Sequence, residues 1–166
     1  MPINTPGSTA TSNKKEILRI EDLHTSFFTR DGEVKAVNGV NLSLKEDSIL
    51  GVVGESGSGK SVTALSTLRL VPYPGKITQG AVYFEDQNLL EIGNENLRRI
   101  RGKDIAMIFQ EPATALNQLI TIQTHMEEVL QAHSSMSKTA ARERAVELLT
   151  ELELPSPSYI MKQYPF

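Results

Sequence analysis

Apolar and polar residues alternate along the first part of the chain, and that alternation predicts paired strands. Ile17–Phe28, "ILRIEDLHTSFF", reads as a strand interrupted by charge at Glu21 and Asp22. "TRDGE" carries Asp31-Gly32, a hairpin-turn signal, and Val34–Leu44, "VKAVNGVNLSL", alternates again, so the opening predicts an antiparallel ribbon. The pattern then changes. "ILGVV", Ile49–Val53, is apolar at every position except Gly51, which predicts a short buried strand of a parallel sheet. A glycine loop follows, and "KSVTALSTLRLV" places Val62, Leu65, Leu68 and Val71 at a helical spacing that stops near Pro72. "GAVYFED" (Gly80–Asp86) predicts another strand, "NENLRRIRG" a short helix stopped by Gly102, and "DIAMIFQ" (Asp104–Gln110) a second buried strand. Beyond it the chain reads as helical. "TIQTHMEEVLQAH" puts Ile122, Met126, Val129 and Leu130 on one face, mainly as core. "KTAARERAVELLTELEL" repeats the pattern, with Ser137 placed to cap it and Pro155 and Pro157 to end it. Ribbon, βα core and helices in that order predict a mixed sheet with a helical region, an α/β class.

Composition narrows the function classes. Of 166 residues, 39% are hydrophobic and 22% charged, a mix that buries a core and solvates a surface. The formal net charge of -3 gives no sign of a nucleic-acid partner. No apolar run approaches the ~18 residues needed to cross a bilayer, and "MPINTPGSTATSNKKE" lacks the apolar stretch of a signal peptide. Its Pro, Thr, Ser and Asn content predicts a disordered tail over residues 1–15. Without cysteine there are no disulfides and no thiolate metal sites. These features suggest an intracellular domain whose membrane link, where it has one, runs through a partner.

The glycine loop carries the chemistry. Gly54, Glu55, Ser56, Gly57, Ser58, Gly59, Lys60 and Ser61 fit G-x-x-x-x-G-K-[ST], with an apolar strand predicted before and a helix after. Glycines let the backbone turn successive N–H groups inward as a nest for phosphate oxygens. The helix that starts near Gly59 adds its N-terminal dipole. Lys60 would reach the β- and γ-phosphates, and the Ser61 hydroxyl would sit on Mg²⁺. A flexible glycine–serine turn is the bland alternative, and the strand–loop–helix context argues against it. The loop alone does not name a reaction. "NKKE" at Asn13 superficially matches the guanine-reading motif of GTPases, but it precedes the loop, ends in Glu16 and follows no strand.

Two further stretches resemble the ATP-binding subunits of ABC transporters, and the resemblance covers Ile17 to Phe166. The ribbon "LHTSFF" with "VKAVNGVNLSL" is similar to that family's adenine-side hairpin. The resemblance implies an aromatic stacked on the base, Phe27 by position with Phe28 as the second choice, ordinary strand packing being the alternative. "IAMIFQEPATALN" resembles the family's Q-loop, which implies that Gln110 meets Mg²⁺ and the attacking water. A neutral amide can do both without adding charge near the γ-phosphate. The resemblance also puts Val62 with the loop residues that hold ATP, and makes Glu111 to Ile122 the surface that docks on membrane-spanning subunits. "GESGSGKS", "IRGKDIAMIFQEP" and "T-x-LN" look most like the oligopeptide, dipeptide and nickel importers. Asp47-Ser48 and Asn117-Gln118 depart from that pattern at two expected surface turns.

The implied architecture is a P-loop NTPase core of the ABC type, with an N-terminal antiparallel β-ribbon, the start of a helical subdomain, and an incomplete C-terminus. Its expected divisions are a tail over 1–15, a ribbon and nucleotide-binding core over 16–112, and a partial helical subdomain over 113–166. The family's signature loop, acidic Mg²⁺ strand, catalytic glutamate and switch histidine have no counterpart before Phe166, and His24, His125 and His133 stand in the wrong places for the switch. The resulting expectation is a fragment of an ATPase that powers peptide import from the cytoplasmic face of a membrane, itself binding Mg·ATP weakly and hydrolysing it negligibly. Its implied partners are permease subunits, a second ATP-binding subunit, identical or not, and indirectly an extracytoplasmic solute-binding protein. A naturally non-hydrolytic nucleotide-binding module and an ABC-type ATPase outside transport are the alternatives.

Overall fold

A computed structural model describes residues 14–111 and 115–166, in two units that divide between Leu97 and Arg98. Residues 1–13 of the expected tail, and 112–114 of the expected docking surface, lie outside the described residues. The expected boundary near 112 falls within the second unit.

The first unit is built on the ribbon. Strand β1 (Glu16–Thr29) turns through Arg30 and Asp31 into β2 (Gly32–Lys45). Strand β3 (Gly75–Phe84) lies on the other side of β1, and the two-residue β4 (Gln87–Asn88) closes the antiparallel order β2-β1-β3-β4. Ile20, Leu23, Val37, Leu68, Val82, Leu89 and Leu97 are buried. Bulges break the register of β1 around Glu21–His24, where Asp22 takes a positive φ of 43°. Its carboxylate is held there by His24 Nε2 at 2.9 Å and by the Gln79 amide at 2.6 Å, while its backbone N–H donates to Asn41 Oδ1 at 2.9 Å. The charges that interrupt the alternation therefore mark a pinned bulge rather than the end of a strand. The bond to His24, then that from Gln79, holds the Asp22 carboxyl below the usual aspartate range.

Helix α1 (Lys60–Thr67) is shorter than its apolar spacing suggests. Arg69 adopts φ 53°, and the bonds Arg69 N–H to Ser66 O (3.0 Å) and Leu70 N–H to Leu65 O (2.8 Å) close the helix before Val71. Helix α2 (Asn94–Ile100) follows β4. After it, Gly102 (φ 81°) turns the chain, and its N–H donates to Ile105 O at 2.9 Å.

The second unit carries α3 (Ile122–Ala132), α4 (Lys138–Glu151) and α5 (Pro157–Ile160). Thr121 caps α3 by accepting from Thr124 N–H, and Ser137 caps α4 from Ala140 N–H as predicted. Ala145, Leu149 and Met161 form the core, with Met126, Leu130, Val146 and Ile160 packed around them. The first N–H groups of α3 donate to the C-terminal segment, Ile122 to Gln163 O and Gln123 to Met161 O, both at 2.9 Å. Helix starts leave such donors orphaned, so this segment is tied to α3. Pro157, expected to end a helix, opens α5 instead, at the first-turn position where its missing N–H costs nothing.

Three expectations are corrected. Ile49–Val53 and 106–110 are not strands among the described residues, and Ile105 keeps a single bridge, to Arg101. Most of their apolar side chains stay exposed, Ile49 completely and Ile108 at 95%, while Met107 is half-buried. The reason is pairing. All four described strands pair among themselves, and neither run is joined to any of their ladders. Val129 is 60% exposed, whereas Glu127, two positions earlier and so on the opposite face of the helix, is buried at 5%. The Gln123 amide donates to Glu127 Oε1 at 2.6 Å, which compensates that burial.

Candidate phosphate-binding site

The loop between Val53 and α1 has the backbone its glycines require. Gly57 has φ 82° and Gly59 φ 90°, a region that L side chains rarely enter. Gly59 is fixed twice over, because a Cβ there would lie 2.3 Å from the carbonyl oxygen of Ala36 on β2. The end of the loop thus rests directly on the ribbon, and helix α1 starts from it with Thr63 N–H bonded to Gly59 O at 2.8 Å.

Lys60 folds back over the loop. Its ammonium donates to Gly54 O and Glu55 O, both at 2.7 Å, and to Ser58 Oγ at 3.2 Å. All three acceptors are neutral. A phosphate arriving at the loop would offer this ammonium charged oxygens in exchange for carbonyls, a stronger bond for the same donors. Ser56 and Ser61 are exposed, and Val62 is half-buried in the first turn of α1. The residues fit a phosphate chain: a short loop with positive φ at two glycines, a lysine bonded to neutral oxygens, and a helix start behind it. For a magnesium ion the loop offers the exposed Ser61 hydroxyl. Among the described residues no group of three His, Cys, Asp or Glu is placed to hold a metal by itself.

A pair of buried hydroxyls holds α1 onto the sheet, and the alternation gave no hint of it. Ser66 Oγ donates to Val62 O at 2.7 Å, which uses its one hydrogen. Thr25 Oγ1, 2.8 Å away on β1, must therefore donate to Ser66. Both residues are fully buried and lie 41 positions apart in the chain. The only sequence signal was the run of hydroxyls Thr63, Ser66 and Thr67 inside a helix, each bonded back to a carbonyl four residues earlier.

The other two candidates lie elsewhere. Phe27 is half-buried, pairs with Val34 and Gly75, and its ring edge would meet a Cβ on Gly75 at 2.8 Å. Phe28 is the more exposed ring, with Lys76 Nζ 5.9 Å from its centroid. Gln110 is exposed in the second unit, just after the irregular 106–109 segment.

The ABC transporter family pattern matches residues 37–163. The chain belongs to the ABC transporter family. It is 42% identical over 152 residues to the dipeptide transport ATP-binding protein DppD of Bacillus subtilis, an alignment that covers 91% of this chain and 45% of that protein. It is 43% identical over 150 residues to the oligopeptide transport ATP-binding protein OppD of the same organism, covering 90% of this chain and 42% of that one. The chain therefore spans about half the length of these relatives. The dimeric structure of MJ0796, a bacterial ABC transporter cassette, superposes with a TM-score of 0.74 at 26% identity, over 90% of this chain and 62% of that one. A post-hydrolysis state of the same cassette, bound to ADP and Pi, gives 0.72 at 25% identity with the same coverage. The fold is thus the α/β core of an ABC-type ATPase with its antiparallel ribbon and helices. Among the described residues, no helix is long and apolar enough to cross a membrane.

Proposed function

We propose that the chain is the nucleotide-binding part of an ATP-binding subunit that drives peptide import across a membrane. The observation that carries this reading is Lys60, held by neutral carbonyls in a positive-φ glycine loop at the start of α1. In the proposal, loop residues 54–60 and Val62 bind the phosphates of ATP, and Ser61 and Gln110 hold Mg²⁺. Gln110 also orients the attacking water, and Phe27, or Phe28, faces the base. Bound ATP would supply the free energy of transport. The names of the relatives support a peptide as cargo, with permease subunits and a second ATP-binding subunit as partners at the cytoplasmic face of the membrane. Binding without appreciable turnover by these 166 residues is part of the same proposal.

Calorimetric titration of the purified chain with Mg·ATP tests the reading. Lys60→Ala should weaken binding roughly ten- to hundredfold, the loss of a charged hydrogen bond. Unchanged affinity would overturn the phosphate assignment. Steady phosphate release that Lys60→Ala abolishes would overturn the absence of turnover and leave the binding site standing.

A further inference from the structure

Strand β3 has an open edge. It pairs with β1 from Gly75 to Phe84, but on its other side β4 reaches only Tyr83 and Phe84. The groups of Val82 are also used, by Leu89 N–H at 2.7 Å and by Asn88 Oδ1. Among the described residues, nothing pairs with the stretch from Gly75 to Ala81 on that side. A groove of about 510 Å³ runs along it, walled by Arg69, Val71, Lys76, Ile77, Thr78 and Leu90. The lining holds two cations and no carboxylate. Arg69 is braced by Ile92 O at 2.8 Å and Asn94 Oδ1 at 3.1 Å. Lys76 sits over the Phe28 ring, which keeps its charge in place without cancelling it.

We propose that this groove docks an extended acidic peptide segment, which adds to β3 as a further strand. An unpaired strand edge offers N–H and C=O groups in a row, and an extended chain satisfies them with main-chain hydrogen bonds. Alternate side chains of the incoming segment would lie against Val71, Ile77 and Leu90, while acidic ones between them meet Lys76 and Arg69. The charge of the lining selects the acidic partner. A lysine on a strand edge also has a plainer use, to discourage pairing altogether, and the two uses differ in what an acidic strand does.

The test uses the full chain and a fluorescein-labelled peptide that alternates valine and glutamate, six residues long. A valine–lysine peptide serves as the control. Anisotropy should show binding of the acidic peptide alone, weakened by added salt. Lys76→Glu should weaken it roughly tenfold and Lys76→Gln by less, as reversing and then merely removing a facing charge would do. Lys35→Glu, on β2 and outside the groove, should leave it unchanged. Hydrogen exchange should slow at the amides of residues 76–80 when the acidic peptide is added. No binding, binding indifferent to peptide charge or to Lys76→Glu, or protection on β2 instead of β3 would each overturn the proposal. So would competition by inorganic phosphate with no slowing of exchange at β3, which would make the groove an anion site rather than a strand acceptor.

Discussion

Leu23 and Ile49 are aliphatic residues in the same unit, and their fates are opposite: Leu23 is fully buried and Ile49 fully exposed. The difference lies in the reach of their partners. Strand β1 meets β2 through a two-residue turn and β3 across an antiparallel ladder, so the pattern that makes the strand also supplies its neighbours. The run Ile49–Val53 has the composition of a strand covered on both faces, a setting that needs parallel neighbours from distant segments. Alternation in β1 and β2 thus encodes a pairing that the hairpin satisfies at once, and the ribbon then offers an edge that β3 takes up. A uniformly apolar run encodes a demand, and does not say what meets it.

The largest effect expected from this contrast is in the ribbon. Leu23→Ala should destabilise the chain by about 2–5 kcal/mol, the transfer and cavity costs of a fully buried leucine. Urea unfolding followed by circular dichroism would measure it. A cost under about 1 kcal/mol would mean that the ribbon collapses around the gap, and that its packing is looser than the burial of Ile20, Leu23 and Val82 suggests.

A smaller and asymmetric effect is expected where the ribbon holds α1. Ser66→Ala removes the acceptor of the buried Thr25 hydroxyl and should cost about 1–3 kcal/mol. Thr25→Val leaves Ser66 still donating to Val62 O, and should cost less than about 1 kcal/mol. Because α1 begins at Lys60, Ser66→Ala should also loosen nucleotide binding, read in the same titration that tests Lys60→Ala. Equal costs for the two variants would reverse the donor assignment at this pair.

What the sequence made legible follows the same division. The phosphate loop was readable because its requirements sit within eight consecutive residues: positive φ at Gly57 and Gly59, a lysine, and a helix start. The hairpin and the Ser137 cap were readable for the same reason. The start of β3 was not, since Lys76, Thr78 and Gln79 follow a Pro–Gly turn and lack apolar alternation. They are strand because β1 offers an edge to pair with. The end of α1 was missed because a left-handed Arg69 breaks a pattern whose apolar spacing continues past it. The Thr25–Ser66 bond and the Glu127–Gln123 bond each reverse a rule about polar residues, and each depends on a partner that periodicity does not encode. Gly59 shows the two kinds of information meeting. Its place in the motif is local, while the Ala36 carbonyl that excludes a side chain there comes from β2.

The smallest effect should come from the exposed run, and it is the sharpest probe of the contrast. Ile49→Ser should change the stability of this chain by no more than about 0.5 kcal/mol, since a fully exposed isoleucine loses no buried area when it is trimmed. Measured beside Leu23→Ala in the same urea series, the two variants remove similar aliphatic mass from the two kinds of segment. A cost for Ile49→Ser that approached that of Leu23→Ala would mean that something covers Ile49 in solution. Repeating the measurement at several protein concentrations then decides what. A cost that grows with concentration places a second copy of the chain on the run, because association stabilises only the folded state that associates. A cost independent of concentration places the cover within the chain itself, and the division between a satisfied ribbon and an unsatisfied apolar run would fail.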